Sequence, residues 1–177
     1  MRRTTKERCK VDVLVESGLW KEPRAVKSLV RRAIEEAAAT VSTSGAELAI
    51  VLTNDSAIRL LNRDWRGTDA ATNVLSFPAQ GAAGGEPPFI GDIVLAYETV
   101  AREARDEGKA FAHHVAHLTV HGFLHLRGYD HQRSKDADEM EKLERKILRR
   151  LAIPDPYRLP ARKAKRRQES LNSARSR

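Results

Sequence analysis

Residues 110–131 read AFAHHVAHLTVHGFLHLRGYDH, and this stretch decides the architecture. It is long enough for one helix of four turns or more, and most residues ahead of Arg127 are apolar or histidine. A helix without a polar face belongs at the centre of a domain. Gly128 is well placed to end it in the left-handed conformation. The rest of the chain must then supply the layers around it.

Working outward, residues 10–16 (KVDVLVE) alternate with period two and read as a half-buried strand. Pro23 suits the first turn of a helix, and residues 24–40 place Val26, Leu29, Val30, Ala33, Ile34 and Ala37 on one stripe. Ser42 to Gly45 make a loop. Glu47 to Thr53 (ELAIVLT) is a more buried strand. Asn54 or Asp55 can cap a short helix with Ile58, Leu61 and Leu60 facing inward. Residues 62–72 (NRDWRGTDAAT) read as polar and turn-like, and Asn73 to Phe77 as a short strand stopped by Pro78.

Residues 79–88 (AQGAAGGEPP) can hold neither helix nor strand, so a mobile loop is expected there. Residues 89–96 (FIGDIVLA) form a strand in which Gly91 marks a bulge or a close backbone approach. An amphipathic helix at 97–107 ends at Gly108. A last helix at 135–151 is acidic early and basic late, as the helix dipole prefers, and Pro154 and Pro156 follow it. The order βαβαββααα gives an α+β fold: a single small domain with an about four-stranded mixed sheet packed against helices.

With 177 residues the chain is long enough for one domain with a proper core. Hydrophobic residues at 41% and charged residues at 32% exclude a disordered or collagen-like chain. No apolar run approaches the roughly 20 residues of a membrane-spanning helix. The opening MRRTTKERCK lacks the apolar segment of a secretory signal. Cys9, the single cysteine, allows no internal disulfide and no thiolate metal cluster. A cytoplasmic monomer is the expectation.

The formal charge of +8 is uneven. Residues 1–10 carry five basic and one acidic side chain, and residues 161–177 carry seven and one. Residues 11–160 are left with 20 basic and 22 acidic. The basicity therefore sits on a segment at 1–9 and a tail at 158–177, which flank a folded domain at 10–157. The tail has too few apolar residues to order itself. Its cluster Arg162, Lys163, Lys165, Arg166 and Arg167 suits a polyanion such as RNA, and equally a solvated solubility tail.

All six histidines fall within residues 113–131. His113, His117, His121 and His125 recur every four residues, so a helix sets neighbours about 6 Å apart on one drifting face. Two imidazoles at that spacing can hold one metal ion from the same side. His131 follows the helix-ending Gly128, where the chain can fold back and bring a third. A single histidine would be an ordinary core or surface residue; His121, His125 and His131 around a helix stop match a ligand geometry. Three nitrogens leave one position for water, as in catalytic zinc sites, where the pKa of that water falls to about 7.

His117 could orient a ligand, belong to a polar core or face substrate, whereas His113 and His114 read as ordinary helix positions. Asp130 could orient the His131 imidazole through its other nitrogen, or cap the turn. Helical zinc proteases carry a glutamate base immediately after the first histidine, and Gly122 stands there instead.

The string His121-Gly122-Phe123-Leu124-His125-Leu126-Arg127-Gly128-Tyr129-Asp130-His131 resembles the signature of the YbeY family, bacterial metal-dependent endoribonucleases of rRNA maturation. Two further stretches agree. One is Leu61-Asn62, Arg66, Asp69 and Thr72-Asn73-Val74-Leu75-Ser76-Phe77-Pro78; the other is Gly91-Asp92. The resemblance spans roughly residues 45–157.

It implies one metal ion per chain on His121, His125 and His131. Zinc is expected, with other divalent transition metals possible for three imidazoles. It also implies a zincin-like fold around a central metal-binding helix, and a catalytic Arg66 that forks onto phosphate oxygens. Asp92 is a candidate for fixing a turn or strand end nearby. The implied activity is single-strand-specific RNA cleavage in rRNA processing, including maturation of the 16S rRNA 3′ end, and in ribosome quality control. RNA and the ribosome or its proteins would be the partners.

Two other readings stay open. One is a metal-dependent hydrolase of another substrate such as a peptide, which Gly122 disfavours. The other is a non-catalytic ribosome-assembly factor with a structural metal. Only 5% of residues are aromatic, so base stacking is not expected to dominate RNA recognition.

Overall fold

The structure, a computed structural model, describes residues 8–43, 45–79, 89–130 and 133–158. The elements run β1 (Lys10–Val15), α1 (Pro23–Thr40), β2 (Glu47–Thr53), α2 (Asp55–Arg66), β3 (Val74–Pro78), β4 (Phe89–Ala96), α3 (Tyr97–Glu107), α4 (Phe111–Leu126) and α5 (Ser134–Arg150). This is the order that the sequence implies. The loop expected at 79–88 lies outside the described residues apart from Ala79, as do residues 1–7 and 159–177 of the basic ends. No helix among the described residues is long and apolar enough to cross a membrane.

The four strands form one mixed sheet in the order β1-β2-β4-β3. β1, β2 and β4 are parallel, and β3 runs antiparallel to β4 at the edge. α1 starts on Pro23 and buries Val30, Ala33, Ile34, Ala37 and Ala38, the stripe read from its periodicity. α4 is the central helix. It packs against α1, α3, α5, β3 and β4, and Val115, Ala116, Val120, Phe123 and Leu124 are buried in it. Each such large apolar side chain contributes roughly 1.5–3 kcal/mol on leaving water. Gly128 has a φ of 83° and its N–H donates to the His125 carbonyl, closing the helix as expected.

α2 departs from expectation in two ways. Asn54 caps it by accepting the Ala57 N–H at 2.9 Å, and Ile58 and Leu61 pack inward as expected, but Leu60 is 50% exposed and Asn62 is buried. The helix also runs on through Asn62–Arg66, where the sequence pattern implies a turn. Arg and Asp are ordinary helix residues with no breaking effect. The helix stops at Gly67, in the left-handed conformation with its N–H on the Arg63 carbonyl. Arg66 is therefore held on a helical turn.

Two glycines let backbones approach. At Gly122, an added Cβ would lie 2.9 Å from Ile93 Cγ2 and 3.0 Å from Ser76 Oγ, so α4 sits close against β3 and β4. Ser76 Oγ donates to the Gly122 carbonyl at 3.1 Å across this contact. At Gly91 the pairing of β4 with β2 slips, and φ is 135°. A Cβ there would fall 2.2 Å from the Phe77 carbonyl oxygen, which belongs to backbone and cannot step aside. The close approach read from the sequence is thus present. Gly91→Ala is expected to cost about 3 kcal/mol or more, from backbone strain plus overpacking. Denaturant unfolding checks this, and a loss below about 1 kcal/mol would contradict it.

Candidate active site

A cleft of about 620 Å³ runs along the free edge of β3. Asn62 and Arg66 reach it from α2, Ser76 and Pro78 from β3, and His121 and His125 from α4. The β3–β4 ladder fixes which groups face it. The Asn73 carbonyl accepts from Ala96 and the Ala79 N–H donates to Ile90, so odd-numbered residues turn toward β4. Backbone groups of Val74, Ser76 and Pro78 therefore face the open edge. Arg66 Nη2 donates to the Ser76 carbonyl at 3.1 Å, which draws the guanidinium across that edge. A guanidinium carries five N–H donors, more than this bond uses.

On the α4 side, His121 and His125 come together. Their Nε2 atoms are 3.1 Å apart, with the rings nearly perpendicular at 79°. The other nitrogen of His121, Nδ1, lies 2.7 Å from Glu144 Oε1 on α5. Glu144 has no solvent exposure and also takes His117 Nε2 at 3.0 Å and the Tyr157 hydroxyl. Burial pushes the Glu144 carboxyl up, but the bonds from His117, His121 and Tyr157 outweigh it and hold the pKa down to about 2. Burial, then the bond to Glu144, push the Tyr157 hydroxyl up, so it stays a donor.

This pair fits a metal ion. With Nδ1 donating to a carboxylate, His121 is the tautomer that carries its lone pair on Nε2, the nitrogen a metal ion would take. Two nitrogens 3.1 Å apart come close to the edge of about 3.3–3.4 Å that a tetrahedron with metal–nitrogen bonds of about 2.0–2.1 Å requires. His131, the third expected ligand, lies outside the described residues. Among the described residues no three His, Cys, Asp or Glu side chains are arranged to hold one ion together.

The other expected site residues separate. His117 turns its Nε2 to Glu144, and its Nδ1 is buried without a hydrogen-bond partner among the described residues. His114 is buried against Glu103, which also accepts from Asn73; burial lowers its pKa. Asp130 lines the cleft. Asp92 does not, among the described residues; it stands opposite Phe77 in the β3–β4 ladder, next to Ile93, which faces Gly122. Alternation along the strand turns Asp92 to the sheet face away from α4, and burial raises its pKa. The basic tail cluster Arg162 to Arg167 lies outside the described residues.

Glu144 and Tyr157 were not singled out from the sequence. The signal existed for Glu144: it interrupts the apolar stripe Met140, Ile147, Leu148 and Leu151 at helical spacing. A carboxylate on a buried stripe needs partners. They lie 23 and 27 residues away on α4, where only the fold can place them.

Comparison with known proteins agrees with this architecture. A family model described as Endoribonuclease YbeY matches residues 16–152. A Nitrobacter hamburgensis protein named Endoribonuclease YbeY is 54% identical over 153 residues, covering 82% of this chain and 80% of its own. A Rhodopseudomonas palustris protein of the same name is 54% identical over 151 residues, with the same coverage. The solution structure of a Thermotoga maritima protein superposes with a TM-score of 0.52 at 22% identity, covering 84% of this chain and 99% of that one, and supports the fold. A match of this extent, over sheet and helices alike, establishes that the chain belongs to the YbeY family of endoribonucleases.

Proposed function

We propose that this chain is a single-strand-specific, metal-dependent endoribonuclease of rRNA processing, acting in the cytoplasm as a monomer. Its tasks would include maturation of the 16S rRNA 3′ end and ribosome quality control. One observation carries the chemistry: an arginine and two facing imidazoles line the same cleft. In this reading α4 is a central metal-binding helix like that of the zincins, with His121, His125 and His131 holding one zinc ion. Bound there, the ion supplies a Lewis acid and activates water at neutral pH.

The chain's own residues do the rest. Arg66 binds the scissile phosphate and offsets the negative charge that builds on its oxygens. Glu144 holds His121 in the ligating tautomer. The basic ends add sequence-independent, salt-sensitive affinity for RNA and the ribosome. The peptidase alternative lacks its base, because the space beside Gly122 is filled by Ile93 and Ser76.

The test uses purified wild type, His125→Ala and Arg66→Ala on rRNA precursor and on casein, with and without chelator. RNA cleavage should disappear on chelation. Arg66→Ala should lose about 10²–10³-fold in kcat while keeping its metal. Casein should stay intact. Cleavage that survives both metal removal and the arginine substitution would sink the reading.

Glu144→Gln should weaken metal affinity by about 10–100-fold, read by competition with a chromophoric chelator. It should also alter the acid response of the metal-free protein. A carboxyl whose folded pKa is about 2, against an ordinary 4.5, stabilises fully above pH 4.5 and loses that contribution as pH falls toward 2. The stability gap between parent and variant should therefore close over that window.

Truncation after Pro160 should weaken RNA binding at low salt and flatten its salt dependence. An unchanged slope would leave the tail a solubility device.

A further inference from the structure

The last turn of α2 presents a feature that the cleft chemistry does not use. Trp65, the neighbour of Arg66, is 71% exposed, whereas the chain's other tryptophan, Trp20, is 2% exposed, with its indole N–H on the Thr53 carbonyl. Exposing most of an indole forgoes a large apolar gain, since this ring has more surface to bury than any other side chain. The ring is also not left to swing. It meets Phe77 edge to face, at a centroid distance of 6.0 Å and an angle of 66°. Phe77 is in turn packed against the small cluster of Ile58, Leu75, Val94 and Ala96. An indole that keeps most of its surface in solvent while one ring contact holds it is an oriented plane.

Its setting indicates what would cover it. Arg66 donates to Ser76, and Trp65 touches Phe77, the next residue of the same edge strand. The two side chains thus meet consecutive residues of β3, Arg66 lining the cleft and Trp65 following the strand outside that lining. Arg63, on the same turn, is exposed and paired with Asp64. A cationic side chain beside an accessible aromatic plane is the combination that binds single-stranded nucleic acid, the cation taking phosphate and the ring taking a base.

We propose that Trp65, braced by Phe77 at the lip of the cleft, is a stacking platform for an unpaired base of the RNA whose phosphate Arg66 holds. The proposal rests on the endoribonuclease reading and adds a base-binding subsite to it. Stacking accepts any base, because each has a π face, and it requires that base to be out of a duplex. Preference for single strands then follows from Trp65 without sequence readout.

Tryptophan fluorescence tests this on the full-length, metal-loaded protein. The probe is a non-cleavable 2′-O-methyl oligonucleotide of about ten residues, within the usual span of single-strand sites. An abasic strand of equal length serves as control, and binding is followed separately by anisotropy of a label on the strand. The base-bearing strand should quench Trp65, the abasic strand should not, and Trp65→Phe should abolish the quench because Trp20 is enclosed. Trp65→Ala should weaken the base-bearing strand roughly 5- to 100-fold and leave the abasic strand unchanged.

Strands that bind without quenching, or equal losses for both strands in Trp65→Ala, overturn the subsite and leave the nuclease reading standing. Wild type that neither binds nor cleaves RNA overturns both. Quenching by ribosomal proteins alone assigns Trp65 to a protein contact and also overturns the proposal. Because Trp65 is exposed, both variants should melt with the parent, which thermal unfolding checks.

Discussion

At Gly122 α4 lies against β3 and β4 so closely that Ser76 reaches its carbonyl at 3.1 Å and Ile93 fills the place of a side chain. The rest of the site depends on this contact. A helix turns about 100° per residue, so pinning Gly122 to the sheet sets His121 about 100° and His125 about 60° round from it in the same sense. Both imidazoles then stand on the flank of α4 that overlooks β3. A side chain at position 122 would push the helix outward and dissolve that relation.

The second constraint is electrostatic. Glu144 is fully buried, and a buried carboxylate is costly unless its oxygens are bonded. His117, His121 and Tyr157 supply the donors. These three sit on two turns of α4 and on the segment after α5, so one anion ties the central helix, the last helix and the chain beyond it together. The tie extends outward, since Arg145 lies 4.7 Å over the Tyr157 ring and bonds Glu141 and Asp155. Such a network specifies rather than merely stabilises, because only one set of imidazole rotamers satisfies it.

Local pattern explains how much of this the sequence revealed. Apolar spacing at period two and 3.6, apolar runs and charge distribution located the strands and helices, and Asn54, Gly108 and Gly128 marked ends through backbone chemistry that acts within a few residues. The end of α2 reads as turn-like because four of the five residues Asn62–Arg66 are polar and Gly67 follows them. Polarity does not mark the absence of a helix, and here it does not report exposure throughout, since Asn62 is buried and donates to the Ala70 carbonyl. The paired His121 and His125 were legible from their spacing of four. For Glu144 the apolar stripe of α5 signals burial, but its partners His117 and His121 are placed only by the fold. Trp65 was hidden by a different cause: a low aromatic fraction counts rings without saying which of them the fold leaves open.

The edge strand bears on what kind of polymer the cleft receives. An extended peptide would dock by adding a strand to β3, taking its outward N–H and carbonyl groups in turn. Half of those six positions on Val74, Ser76 and Pro78 are closed. The Val74 N–H is taken by Asn73 Oδ1 at 2.6 Å, the Ser76 carbonyl by Arg66, and Pro78 has no N–H to give. Blunting of this sort is how sheet edges avoid pairing with other chains. What remains at the cleft is a guanidinium set across the edge and an imidazole pair beyond it, one carrying positive charge and the other able to ligate a cation. A phosphodiester, which offers anionic oxygens and seeks no ladder of backbone bonds, matches that edge where a polypeptide does not.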